Sequence, residues 1–383
     1  MDKNTKIISL DVLRGLACLA VTIHHIFMFN PVFFKSYTTN IPSGNGIIDF
    51  LNFSALKFVW DGHAAVILFF VLSGFVLSIS FFKNDTLNYK KYLLKRMCRI
   101  YLPFAVIIAI GSLGSNYFKH YERLLKFTDW LNKAWNKSIT GTNFIDYLLM
   151  RDSDFVYLSQ SIWSLPVEIK VSIFLPFVIV FFKKIKPKYD LVFVLLNMIV
   201  YHVGKRLGLQ DILPDFALLY YLTFFMAGIS LYKNHQQFVT IISKLTTTVK
   251  MALFFVSIML YTNYSNLVFF LPWLTAFLEK MMPSDYLITL GSVLLMLLIL
   301  STSSDNKFLS NKYLVYVGKI SFSLYLIHPI VIMIICFTMG AVLPFYVLHP
   351  LCFVASLIAA VAFYKFIELP TKKLGFVLTK KLK

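Results

Sequence analysis

His63-Ala-Ala-Val-Ile-Leu-Phe-Phe-Val-Leu-Ser-Gly-Phe-Val-Leu-Ser-Ile-Ser-Phe-Phe82 runs for twenty residues without a Lys, Arg, Asp or Glu. A helix needs about 20 apolar residues to cross a bilayer, so this segment reads as a membrane span. Outward from it, similar runs recur near 7–29, 101–117, 161–182, 190–207, 214–232, 250–266, 286–302, 313–337 and 343–367. The expected fold is therefore all-α, a polytopic membrane helix bundle with about ten transmembrane helices in a lipid bilayer. Composition agrees. The 383 residues are 58% hydrophobic and 14% charged, against roughly 25% charged in a soluble domain. No polar stretch is long enough to fold alone, so residues 1–383 are expected to form a single integral membrane domain without a fused extracytoplasmic one.

The formal net charge is +19. On a soluble protein this would suggest nucleic acid. Here the basic residues gather between apolar runs, so topology explains them and no nucleic-acid partner is expected. Lys3 and Lys6 precede the first run. Lys83, Lys90, Lys91, Lys95, Arg96 and Arg99 fill the second connection, Lys183, Lys184, Lys186 and Lys188 the fourth, and Lys233, Lys244 and Lys250 the sixth. Lys307 and Lys312 mark the eighth, and Lys372, Lys373, Lys380, Lys381 and Lys383 the tail. The connections near 30–62, 118–160, 267–285 and 338–342 are balanced in charge or nearly free of Lys and Arg; Glu122, Asp129, Asp146, Asp152 and Asp154 offset the basic residues of the second of these. Only Lys205 and Arg206 break the alternation. The pattern places both termini in the cytoplasm and requires an even number of spans. The first run is too long for a cleavable signal and contains Arg14. None of Cys18, Cys98, Cys336 and Cys352 lies in an outer loop, so no disulfide is expected.

A charge at the bilayer centre costs at least ~2.5 kcal/mol, which makes each ionisable group in a span a functional candidate. The first span holds Asp11, Arg14, His24 and His25. Eleven residues at about 100° each return His25 to within roughly 20° of the Arg14 direction, and about 16 Å farther along the axis. His24 points about 80° away and reads as packing. The Arg14–His25 stripe fits a donor phosphate at Arg14 and a general base at His25, because imidazole titrates near working pH. It also fits a polar seam that only joins helices.

Arg96 and Arg99, three residues apart at the entry to the third span, would share a helix face and suit phosphate; ordinary cytoplasmic charge explains them as well. Trp163-Ser-Leu-Pro-Val-Glu168 opens the fourth span. Glu168 suits a role in orienting the base or the acceptor, or simply complements the helix dipole. Trp163 suits stacking on a sugar ring or an interfacial aromatic belt. Ser321, Tyr325 and His328 recur at i, i+4 and i+7, a seam that either lines a cavity or bonds to neighbouring helices. Ser73 and Gly74 read as close-packing positions. No Walker-type loop, His-Glu-x-x-His pair or Gly-x-Ser-x-Gly elbow is present, which argues against an ATPase, a zinc protease and a serine hydrolase.

These residues resemble acyltransferase family 3, the integral membrane O-acyltransferases of bacterial surface glycans, over essentially the whole chain. The resemblance rests on Arg14 and His25, on Leu68-Phe-Phe-Val-Leu-Ser-Gly-Phe75, and on Arg96-x-x-Arg99. It rests also on Trp163-Ser-Leu with Glu168, on Ser321 to Pro329, and on Glu368-Leu-Pro370. It implies a bacterial cytoplasmic-membrane enzyme with a ten-helix core. The enzyme would transfer acetyl, or another acyl group, from acyl-coenzyme A (acyl-CoA) to a carbohydrate such as lipopolysaccharide, peptidoglycan or a secreted polysaccharide. His25 would be catalytic, Glu168 would assist it, and Arg14, Arg96 and Arg99 would bind the donor. Trp163, Tyr325 and His328 would contact substrate, and no metal would be needed. Val167 stands where relatives often carry a further His, which puts any shared role at that position in doubt. A different class, a transporter or flippase with a buried proton or substrate path, explains the hydropathy equally well; it explains the paired arginines less well, and no inverted repeat is evident.

Overall fold

The computed structural model describes residues 3–83, 88–121, 124–151, 154–262, 283–302 and 306–380. Helices occupy all ten predicted positions, and there is no strand among the described residues. Seven are long and apolar enough to cross a membrane: Ile8–Met28, Gly62–Lys83, Tyr89–Phe118, Ser164–Lys184, Ser284–Ser301, Lys312–Met339 and Phe345–Lys380. The other three fall short of that measure. Asp190–Arg206 has 17 residues, Thr247–Tyr261 has 15, and Leu218–Ser243 turns polar at Lys233-Asn-His-Gln-Gln237. Glu122, Asp152, Lys381, Lys383 and most of the expected connection at 267–285 lie outside the described residues.

We number the helices in chain order: α1 Lys3–Met28, α2 Pro31–Thr39, α3 Gly46–Phe53, α4 Gly62–Lys83, α5 Tyr89–Arg96, α6 Leu102–Phe118, α7 Asp129–Asn132, α8 Gly141–Leu148 and α9 Ser164–Lys184. There follow α10 Asp190–Arg206, α11 Leu209–Ile212, α12 Leu218–Ser243, α13 Thr247–Tyr261, α14 Ser284–Ser301, α15 Lys312–Met339, α16 Phe345–Phe363 and α17 Leu369–Lys380. The centre of the bundle is α1 packed on α4 and α15, with α12 on the far side of α4. Lipid gives helices no hydrophobic reason to associate, so close approach at small residues must do it. A Cβ on Gly15 would fall 2.7 Å from the Gly318 nitrogen, and one on Gly228 would fall 2.0 Å from the Val71 oxygen. Gly74 sits as tightly on Phe225, the packing role expected of it.

Two one-turn π-helical segments interrupt the rods, Met97–Tyr101 between α5 and α6 and Tyr364–Glu368 between α16 and α17. The expected simple α-helical spacing of Arg96 and Arg99 is thus replaced by a wider turn. The four cysteines are free and buried.

The connections expected on the outer side are folded. Residues 30–62 form α2, α3 and a 3₁₀ turn, Ala55–Val59, started by the side chains of Asn30, Asn45 and Ser54. Asp49 accepts from Ser43 N at 2.6 Å and Gly44 N at 3.0 Å, which holds its carboxyl below the usual range. Residues 124–151 and 154–160, within the charge-balanced connection expected near 118–160, bury Phe127, Leu131, Trp135 and Leu158. Thr128 Oγ1 donates to the Met28 carbonyl at 3.0 Å, fixing this segment over the end of α1.

On the opposite side, Asp190 is 1% exposed and accepts from Lys233 Nζ at 2.7 Å and Asn234 Nδ2 at 2.8 Å. Removing one partner of a buried pair leaves an uncompensated charge, typically at a cost of about 3–5 kcal/mol. Asp190→Ala is therefore expected to lower the thermal midpoint of the detergent-solubilised protein by several degrees. An unchanged midpoint would show that the pair contributes nothing.

Candidate active site

Helix α1 carries the ionisable stripe. Near its start, Arg14 Nη1 donates to Asp11 Oδ1 at 2.8 Å, which satisfies one guanidinium edge and leaves the rest facing inward. Beside it lies a cavity of about 110 Å³ between α1, α4, the α5–α6 junction, α9 and α15. Five of the eight predicted site residues line it: Arg14, Arg96, Arg99, Glu168 and Tyr325. Phe69, Phe70 and Leu77 supply apolar wall, and Ser73, Ser164 and Ser321 supply hydroxyls.

Arg96 is held from α9. Its Nη2 donates to Glu168 Oε1 at 3.0 Å and to Ser172 Oγ at 2.7 Å, and its Nε reaches the same hydroxyl at 3.2 Å. Ser73 Oγ donates to the same Glu168 oxygen at 3.3 Å. Arg99 is exposed and has no hydrogen-bond partner among the described residues. Three guanidiniums face two carboxylates here, Asp11 and Glu168, so the cavity is net positive. Low-dielectric walls focus such a field on an incoming anion.

His25 does not line this cavity. Its Nδ1 lies 2.7 Å from His328 Nε2, and the two ring centroids are 5.0 Å apart with 17° between their planes. His328 Nδ1 in turn lies 2.8 Å from the Leu324 carbonyl. The base candidate is thus inside the bundle, and the histidine of the α15 seam is its partner. Glu168 was expected beside the base or the acceptor. Its carboxylate is engaged by Arg96 and Ser73 instead, on the wall of the basic cavity.

Tyr325 stands between the two centres. It lines the cavity, and its ring lies 6.2 Å from that of His328. Its hydroxyl donates to the Ser161 carbonyl at 2.7 Å and lies 2.7 Å from Ser164 Oγ. Pro329 lacks the N–H that would bond the Tyr325 carbonyl within α15; Ser161 Oγ takes that carbonyl at 3.0 Å.

Trp163 is half-buried, 6.0 Å from Tyr221, and makes no ring contact with the histidine pair. The tryptophan beside His25 is Trp130, at 5.4 Å, from α7 in the folded segment between α6 and α9. His24 turns away onto Trp60, 5.9 Å and 16° off parallel, and onto Tyr37 at 4.9 Å. Nothing in the sequence marked Trp130, because an aromatic in a charge-balanced connection does not say which helix it will meet. Ser73 was read as packing alone, yet it also bonds Glu168. Glu368, 1% exposed, pairs with Lys372 and accepts from Ser323 Oγ, joining α15 to α17. No group of three or more His, Cys, Asp or Glu among the described residues is arranged to hold a metal ion.

A family model described as an acyltransferase domain matches residues 7–365. No curated protein and no solved structure matches the chain.

Proposed function

Since the chain belongs to this acyltransferase family and is a membrane protein, we propose that it transfers an acyl group, acetyl in the first instance, from acyl-CoA to a hydroxyl of a cell-surface or secreted carbohydrate. The observation that carries this reading is the pairing of a three-arginine cavity with a histidine pair in one bundle, divided by Tyr325. The ten helices would all span a bacterial cytoplasmic membrane, with both termini in the cytoplasm, as the alternation of basic connections supports.

In this scheme Arg14, Arg96 and Arg99 hold the donor's phosphates through charge-assisted hydrogen bonds. Phe69, Phe70 and Leu77 shelter the apolar arm, and Tyr325 meets the acyl end. Glu168 fixes the Arg96 fork rather than touching the acceptor. The carbohydrate approaches from the outer side, where Trp130 offers a ring face next to His25, a place Trp163 does not reach. His25 takes the hydroxyl proton as the oxygen attacks the thioester carbon; the carbon–sulfur bond breaks, and the same proton is returned to the leaving sulfur. General-base help of this kind contributes about 10²–10⁴-fold.

The test is thiol release by purified protein given acetyl-CoA with and without surface glycans of the producing cells. Glycan-dependent release, with an acetyl ester on the sugar by mass spectrometry, is expected. Intact donor after prolonged incubation with the glycans would overturn the assignment.

A further inference from the structure

The hydrogen bonds around the histidine pair settle where its protons sit. A carbonyl oxygen can only accept, so His328 Nδ1, 2.8 Å from the Leu324 oxygen, carries a hydrogen. In the neutral ring the other nitrogen, Nε2, is then a bare lone pair. His25 Nδ1 lies 2.7 Å from it, and two lone pairs cannot face each other at that distance, so His25 Nδ1 carries a hydrogen as well. His25 Nε2 is left with a lone pair, and the hydrogen bond to His328 is the only one that the His25 ring makes among the described residues. No carboxylate bonds either ring, so a cationic His328 would be a buried charge without a counter-ion. His328 is 0% exposed, and both its nitrogens are spent on the protein, which leaves it nothing to offer a substrate directly.

We propose that His328 is a positioning residue that locks His25 in the tautomer with Nε2 as the proton acceptor. This rests on the acyl-transfer reading and adds which nitrogen works and what sets it. The Leu324 carbonyl orients His328, and His328 orients His25, a neutral counterpart of the carboxylate that orients the histidine in hydrolase triads. When Nε2 takes the acceptor's proton, the Nδ1–H of the resulting imidazolium still donates to His328 Nε2, now as a charge-assisted bond. When Nε2 returns the proton to the leaving sulfur, the pair is restored with no net change. The ring planes lie within 17° of each other, so the N–H in the plane of one ring can point at the lone pair in the plane of the other. The arrangement also gives Pro329 a use: it leaves the Tyr325 carbonyl free for Ser161 Oγ, which ties down the turn that carries His328.

The experiment uses full-length protein in lipid nanodiscs labelled with ¹⁵N-histidine. Wild type is expected to show a histidine with protonated Nδ1 and bare Nε2, assigned to His25 by its disappearance in His25→Gln. In His328→Phe that signal should split into a mixture of tautomers. With acetyl-CoA and surface glycans, His328→Phe should lose roughly 10–100-fold in kcat, the scale seen when a supporting partner is removed. Its KM values and its affinity for free coenzyme A should stay within about threefold. His328→Gln, whose amide oxygen can accept from His25 Nδ1–H, should recover most of the loss. A wild-type His25 with bare Nδ1, or a His328→Phe protein with wild-type kcat, overturns the proposal. A misfolded His328→Phe shifts the decision to His328→Gln, which must keep the wild-type tautomer signal. If wild type releases no thiol, the acyl-transfer reading fails, while the tautomer spectrum still decides what His328 does.

Discussion

His25→Ala is expected to lower acyl transfer by about 10²–10⁴-fold while the affinity for coenzyme A stays within about twofold. The size follows from losing the group proposed to take the acceptor's proton. The selectivity follows from geometry: His25 is absent from the wall of the cavity that holds Arg14, Arg96 and Arg99, so donor anchoring does not depend on it. The variant also leaves His328 Nε2 without its 2.7 Å partner. An unsatisfied buried nitrogen costs about 1–3 kcal/mol, so a modest fall in thermal midpoint should accompany the kinetic loss. His25→Gln separates the two effects, since it keeps a hydrogen-bonding group but no base. It should be nearly as inactive as alanine and closer to wild type in stability. Normal turnover by either variant would remove His25 from the chemistry.

Arg96→Ala is expected to weaken coenzyme A binding by about 10–100-fold, the equivalent of one hydrogen-bonded charge worth roughly 1.5–3 kcal/mol. Arg96 is held at two edges by Glu168 and Ser172, so its fork is already oriented before a donor arrives. Arg96→Lys should recover little of this, because a single ammonium cannot span both partners and a phosphate. Glu168→Gln should weaken donor binding less than Arg96→Ala, since Ser172 still holds the guanidinium. Titration calorimetry with coenzyme A measures all three. Wild-type affinity in Arg96→Ala would remove the phosphate site and with it the donor side of the account.

The sequence showed the membrane helices because lipid demands long uncharged runs, and it showed Arg14 and His25 because charge in such a run stands out. It showed Arg96, Arg99, Glu168 and Tyr325 as candidates, and the structure gathers these four with Arg14 around one cavity. Pairings were not legible. Glu168 meets Arg96 across 72 residues and His25 meets His328 across 303, and helical spacing says nothing about partners on other helices. The seam of Ser321, Tyr325 and His328 was visible, but not that its last member faces a histidine. The fold of the 124–160 segment was missed for another reason: its buried Phe127, Leu131 and Trp135 do recur every four residues, but over a run too short, and too interrupted by Lys126, Asp129 and Lys133, to stand out from a charge-balanced connection.

The central claim is that one bundle accepts a thioester from the side bearing the basic connections and delivers its acyl group to a sugar on the other. Sealed membrane vesicles of known orientation, loaded with surface glycan and given isotopically labelled acetyl-CoA on the basic side, test it most directly. The account predicts labelled acetyl esters on the enclosed glycan and free thiol outside, with neither in His25→Ala vesicles. Labelled donor that crosses intact into the lumen, with its thioester unbroken and the glycan unlabelled, would contradict the account and mark the protein as a transporter.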